Sequence, residues 1–78
     1  MSKKDKIIKK FKSNPASVSL NELEFTLDLA GFKRISIKGS HVKFKNVADG
    51  ENIIIPIHNN DCKDFYKKMV YKIIKNRI

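Results

Sequence analysis

The chain has 78 residues, of which 41% are hydrophobic and 32% charged, and its formal net charge at pH 7 is +9. This length allows one small core, and the composition is that of a globular chain. No apolar run approaches the ~18 residues that a membrane-spanning helix needs. One cysteine, Cys62, excludes an internal disulfide framework. We expect a single cytoplasmic domain over residues 1–78, with no membrane contact and with a polyanion as partner.

A short basic helix is predicted at the start of the chain. Residues 2–5 have the form of a helix cap. Apolar side chains then recur on one helical face, at Ile7, Ile8 and Phe11. The helix is expected over residues 3–12 and ends at Asn14-Pro15, because the residue before a proline disfavours the helical conformation.

A second helix has the clearest signals in the chain. Residues 19–22 form a capping box of Ser19 and Glu22. Apolar residues follow at helical intervals, at Leu20, Leu23, Leu27 and Ala30. Gly31 stands where a glycine ends a helix.

From Phe32 onward the hydrophobic period changes to two, which predicts strands. The alternating apolar residues are Ile35, Ile37, Val42 and Phe44. Turns are expected at Gly39-Ser40 and Asp49-Gly50, and they divide the segment into three antiparallel strands.

The chain is predicted to end in a helix capped by Asn60 or Asp61. Its apolar stripe is Phe65, Tyr66, Met69, Val70, Ile73 and Ile74, and the basic residues outside the stripe are Lys67, Lys68, Lys72, Lys75 and Arg77. The fold class is therefore α+β, a three-stranded antiparallel meander packed on helices in the order α-α-β-β-β-α. One sheet face is expected to face solvent.

The turns predict how the strands pair. A two-residue turn at Gly39-Ser40 pairs residues 38 with 41, 37 with 42, 36 with 43, 35 with 44 and 34 with 45. The open face would then be basic, with Arg34, Ser36, Lys38, His41, Lys43 and Lys45. A similar turn at Asp49-Gly50 pairs residues 44 with 55, 42 with 57 and 41 with 58, so that His41 would face His58.

Two opposed imidazoles would suit RNA cleavage. Opposed residues have Cβ atoms roughly 4.5–5.5 Å apart, so both could reach one phosphodiester as base and acid. Lysines would stabilise the phosphorane. The plainer alternative is a solvated strand face with an ordinary exposed histidine. For His58 the plainer alternative is a turn that caps the last helix. Cys62 could be a nucleophile or a metal ligand near His58, and the plainer alternative is an inert thiol at the start of that helix.

Residues 31–44, with Gly39-Ser40-His41, resemble the signature of HicA-type mRNA interferase toxins, and the resemblance continues through Pro56-Ile57-His58. It covers about residues 19–75, with residues 1–15 as an additional basic helix. Family members often carry a histidine or another polar residue directly after the first histidine, where this chain has Val42.

The resemblance implies a fold like that of double-stranded-RNA-binding domains, cleavage of mRNA and neutralisation by a HicB antitoxin. It also implies His41 as the catalytic residue, and His58 is a second candidate. The expected RNA-binding residues are Arg34, Lys38, Gly39, Ser40, Lys43 and Lys45. No cofactor or metal is expected.

Two other functions remain open. One is a non-catalytic RNA-binding module that uses the same basic face. The other is an adaptor whose positive surface binds an acidic protein.

Overall fold

The computed structural model describes residues 2–78. Its elements follow the predicted order, with a 3-10 turn at Pro15–Ser17 between the first two helices. They are α1 (Lys3–Ser13), α2 (Leu20–Leu29), β1 (Phe32–Lys38), β2 (His41–Asn46), β3 (Asn52–Pro56) and α3 (Asp64–Ile74). The predicted α+β class is therefore confirmed.

Both N-terminal helices begin as their capping residues predict. In α1 the Asp5 amide donates to Ser2 Oγ at 3.2 Å. In α2 the Glu22 amide donates to Ser19 Oγ at 3.2 Å, and the Ser19 amide donates to Glu22 Oε1 at 2.9 Å. Lys10 Nζ also lies 2.9 Å from Glu22 Oε1, which joins α1 to α2.

The β1–β2 hairpin has the predicted turn but only part of the predicted pairing. Lys38 pairs with His41, and the next two pairs also agree with the prediction. A bulge between Arg34 and Ser36 then shifts the register, so that Arg34 pairs with Phe44. The predicted pairs of residues 35 with 44 and 34 with 45 are wrong, because the bulge adds one residue to β1.

The prediction of a two-residue turn at Asp49-Gly50 is wrong. Residues 47–51 form a longer loop, and His41 pairs with Pro56. Val42 pairs with Ile55, and Phe44 with Ile53. The register differs from the predicted one by two residues. Because side chains alternate with a period of two, this even shift keeps the apolar residues on the core side.

Asn46 explains the longer loop. Its side chain is buried, and Oδ1 accepts from the Ala48 amide at 2.8 Å and from the Asp49 amide at 3.4 Å. Its Nδ2 donates to the Ala30 carbonyl at 3.3 Å. The side chain thus organises the start of the loop and fastens it to the end of α2.

The core lies between the helices and one sheet face. Phe11, Leu23, Leu27, Phe32, Ile55, Val70 and Ile74 are among its fully buried members. The Phe11 ring packs edge-on against Tyr71 with centroids 5.2 Å apart, so α1 contributes to this core.

The burial of four residues differs from the prediction. Ile35 and Ile37 are exposed, because the rest of the described chain covers β1 only at Phe32. Phe65 is also exposed, although it was assigned to the covering stripe of α3. Lys67 is buried instead, because its ammonium pairs with Asp61 at 3.2 Å.

Asn46→Ala is expected to lower the free energy of unfolding by about 1–3 kcal/mol, because it leaves backbone groups of the loop without their partner. Asn52→Ala, at an exposed position of β3, is the matched control and should change it by less than about 0.5 kcal/mol. Urea denaturation followed by circular dichroism measures both. Equal effects of the two substitutions would contradict the role given to Asn46.

Candidate nucleic-acid interface

His41 lies at the first position of the central strand. β2 stands between β1 and β3, and His41 has Lys38 as its partner on one side and Pro56 on the other. Its neighbour Val42 is buried, so the exposed His41 side chain lies on the sheet face opposite the helices.

That open face carries the predicted basic platform in altered form. Lys43 and Lys45 alternate with buried Phe44, and Ser36 and Lys38 pair with residues of this face. Strand β3 adds three residues that the sequence analysis did not assign, namely Asn52, Ile54 and Pro56. The predicted register differs by an even number of residues and puts them on the same face, so the actual register changes only the β2 residues that they stand beside.

Arg34 is not on the open face, contrary to the predicted register. The bulge places it opposite Phe44, and its guanidinium carbon lies 6.0 Å from the centroid of that ring. The guanidinium is also ion-paired with Glu24 of α2. Arg34 thus contacts the helical layer, and its charge is already matched.

The lysines of the open face differ from Arg34 in this respect. Within residues 2–78, Lys38, Lys43 and Lys45 take part in none of the ion pairs, whereas five acidic side chains pair with cations elsewhere. Those acids are Glu22, Glu24, Asp28, Glu51 and Asp61. These three lysines therefore give the open face positive charge without local compensation, whereas Lys33, which pairs with Lys45, is matched by Asp28.

Gly39 and Ser40 shape the edge of the site. Gly39 has φ +60°, which the tight turn requires and which glycine adopts without strain. The Ser40 carbonyl accepts from the Ile57 amide at 2.6 Å, so the hairpin turn is fastened to the end of β3. This contact fixes the backbone directly before His41.

His58 does not face His41. It belongs to a turn in which the His58 amide donates to the Asp61 carbonyl at 2.8 Å and the Asp61 amide donates to the His58 carbonyl at 3.0 Å. Asn59 and Asn60 have φ values of 53° and 60°, in the left-handed region that asparagine tolerates. The predicted pair of opposed imidazoles is thus wrong, because β3 ends at Pro56 before it reaches His58.

Asp61 stabilises this turn but does not cap α3 as predicted. Its Oδ1 accepts from the Cys62 amide at 2.8 Å and lies 3.2 Å from Lys67 Nζ, and α3 begins only after Lys63. The Cys62 amide and Lys67 hold the pKa of Asp61 below its usual value.

Burial raises the pKa of the Cys62 thiol, although the charge of Lys67 opposes this, so thiolate chemistry is disfavoured.

Asp61→Asn should make stability less dependent on pH in acid. A carboxyl group whose folded-state pKa is lowered contributes stability that is present above its unfolded pKa of about 4 and is lost as pH falls through the folded-state pKa. Because the Asp61 side chain is 54% exposed, solvent screens its interactions, and the variant should cost only about 0.5–1 kcal/mol at pH 7. Its loss of stability below about pH 4 should be shallower than that of the wild type.

Denaturant titrations from pH 7 to pH 2 measure this difference. Asp28→Asn removes the same charge from an exposed ion pair with Lys33 and is the matched control. If Asp28→Asn made the loss of stability below about pH 4 as shallow as Asp61→Asn does, the role given to the Asp61 contacts would be contradicted.

Two further properties bear on the class of site. Among residues 2–78, no three His, Cys, Asp or Glu side chains are grouped so that they could hold a metal ion. None of the helices in the described part of the chain has the length and apolar character needed to cross a membrane.

The fold and the site define a small α+β protein with helices on one sheet face and a basic, histidine-bearing surface on the other. The family model described as "HicA toxin of bacterial toxin-antitoxin" matches residues 21–76. The chain therefore belongs to the HicA family of toxins from toxin–antitoxin systems. Comparisons with curated proteins and with solved structures give no match.

Proposed function

We propose that this toxin is an mRNA interferase, an endoribonuclease in which His41 is the catalytic residue. The carrying observation is the position of His41 at the start of the central strand, exposed between Lys38 and Lys43 on the open face. Membership of a toxin family supports the proposal, since destruction of mRNA arrests growth. Residues 19–75 form the proposed catalytic core of a single domain.

The proposed reaction uses the RNA's own 2′-hydroxyl as nucleophile. His41 accepts the proton of that hydroxyl, and the 2′-oxygen attacks the adjacent phosphorus. The bond from phosphorus to the 5′-oxygen breaks, and that oxygen takes a proton from water. The products are a 2′,3′-cyclic phosphate and a 5′-hydroxyl, and His41 returns its proton to solvent.

The role of His41 differs from the two-histidine arrangement expected from the sequence. His58 lies in the turn after β3, so the proposed reaction uses one imidazole and no protein acid for the leaving oxygen. In this proposal, Lys38 and Lys43 stabilise the additional negative charge of the phosphorane. No step requires a metal or another cofactor.

The proposed RNA surface consists of Lys38, Gly39, Ser40, Lys43 and Lys45. The lysines neutralise phosphates, and the hairpin turn provides backbone close to the strand on which His41 lies. Arg34 is left out because its guanidinium is ion-paired with Glu24. The proposed protein partner is a HicB-like antitoxin, and the proposed location is the cytoplasm, where mRNA is found.

His41→Ala is expected to lower the rate of RNA cleavage by about 10²–10⁴-fold, the usual contribution of a positioned general base. His58→Ala is the matched control, since it removes the same side chain from an exposed turn and should keep nearly the wild-type rate. Cleavage of a defined mRNA fragment by purified protein is followed on denaturing gels, together with growth after induction.

The same assay, with RNA binding measured beside it, separates the proposal from a non-catalytic RNA-binding module. If the wild type binds RNA but leaves it intact, the module is the correct function. If His41→Ala cleaves as fast as the wild type, His41 is not the catalytic residue.

Lys43→Gln is expected to weaken RNA binding and its dependence on salt, because each phosphate neutralised by lysine releases counterions. The slope of log affinity against log salt should become shallower by about 0.7 for one lost contact on single-stranded RNA. Lys9→Gln, on the outer side of α1, is a control with the same charge change. An equal change of slope in both variants would indicate general charge attraction in place of binding on the sheet.

A further inference from the structure

A cleft on the outer side of α3 is left uncovered by the rest of the described chain. Its volume is about 260 Å³, and it is lined by Phe65, Lys68, Met69 and Lys72. Phe65 is 68% exposed, and its ring packs edge-on against Tyr66 with centroids 5.2 Å apart. An exposed aromatic ring that is already held in place is well suited to contact a partner.

The residues of the cleft form two neighbouring rows along the helix. Phe65 and Met69 are four residues apart, as are Lys68 and Lys72, so each pair shares one stripe of the helix surface. Within residues 2–78, neither lysine takes part in an ion pair. An apolar row therefore lies beside a row of uncompensated positive charge.

We propose that this cleft is the docking surface for the antitoxin, through a segment that pairs an apolar side chain with acidic ones. The apolar side chain packs against Phe65 and Met69, and carboxylates pair with Lys68 and Lys72. Aromatic and methionine side chains are enriched at the centres of protein interfaces, and charges are typical of their rims. The inference rests on the antitoxin partner proposed above and is independent of ribonuclease activity.

Other occupants fit the cleft less well. A second copy of the chain would bring the same lysines face to face, and like charges across an interface disfavour binding. Single-stranded RNA stacks its successive bases on several aromatic side chains, whereas this cleft offers one ring. Charge complementarity and the apolar row together favour an acidic protein segment.

The direction of α3 places this cleft at the His41 end of the sheet. The Ser40 carbonyl binds the Ile57 amide, and α3 starts shortly after that point. Beyond the other end of α3, Arg77 Nη2 lies 2.9 Å from Glu51 Oε1. The guanidinium carbon of Arg77 lies 5.6 Å from the centroid of the Phe32 ring. Since Glu51 and Phe32 belong to the opposite end of the sheet, α3 begins toward the end at which His41 lies.

The test measures the affinity of the full chain for its cognate antitoxin by biolayer interferometry. Phe65→Ser should weaken binding by more than about tenfold, as truncation of a central aromatic contact does. Phe65→Leu keeps an apolar side chain and should retain most of the affinity. Val47→Ser is the matched control, because Val47 is 74% exposed but belongs to the loop at the other end of the sheet.

The charge contribution is tested with Lys68→Glu/Lys72→Glu, which should slow association and weaken its dependence on salt. Lys9→Glu/Lys12→Glu makes the same change in net charge on α1 and should affect association far less. Thermal unfolding of every variant checks that the exposed substitutions leave the fold intact.

Two results would overturn the inference. One is unchanged antitoxin affinity in Phe65→Ser, and the other is an equal loss in the control variants. If unchanged antitoxin affinity is accompanied by weaker binding of a 12-nucleotide oligouridylate by Phe65→Ser, the cleft is an RNA-stacking surface. Failure of His41→Ala to reduce cleavage would refute the catalytic proposal alone, because antitoxin affinity is measured separately.

Discussion

The arrangement of the open face depends on one buried amide, the side chain of Asn46. It accepts hydrogen bonds from the first amides of the β2–β3 loop and donates to the carbonyl at the end of α2. A loop organised in this way is longer than a two-residue turn, and it moves the partners of β2 two residues back along β3. A polar side chain on the core side of the sheet therefore decides which groups stand beside His41 on the opposite side.

The first two helices and the first hairpin turn could be predicted because their signals are local. Ser19 with Glu22, Gly31, and the Gly39-Ser40 turn each act within a few residues, and the structure has them as expected. The position of His58 was predicted wrongly, because the register of β3 follows from the longer loop at residues 47–51, in which Asn46 accepts from the Ala48 and Asp49 amides. The alternation of apolar and polar residues does not reveal this shift of the β2–β3 register, since a shift of two residues preserves the alternation.

The exposed Phe65 and the buried Lys67 were missed for a related reason. Helical periodicity predicts which side of α3 faces the core, but not how far the core extends at the start of the helix. Asp61, held by the Cys62 amide, attracts the Lys67 ammonium into a buried position. Nothing in the described chain covers Phe65 to the same degree, and the aromatic ring remains in contact with water.

The positions of the acidic side chains divide the basic residues into those that form ion pairs and those that do not. Carboxylates of α2 pair with Lys10, Lys33 and Arg34, and those after β2 pair with Lys67 and Arg77, so these cations mainly join elements to one another. The charge that is left uncompensated in the described chain lies on the open sheet face and along the outer sides of α1 and α3. The lysines beside His41 belong to β1 and β2, and those beside Phe65 belong to α3, so the proposed RNA surface and the proposed antitoxin surface share no residue.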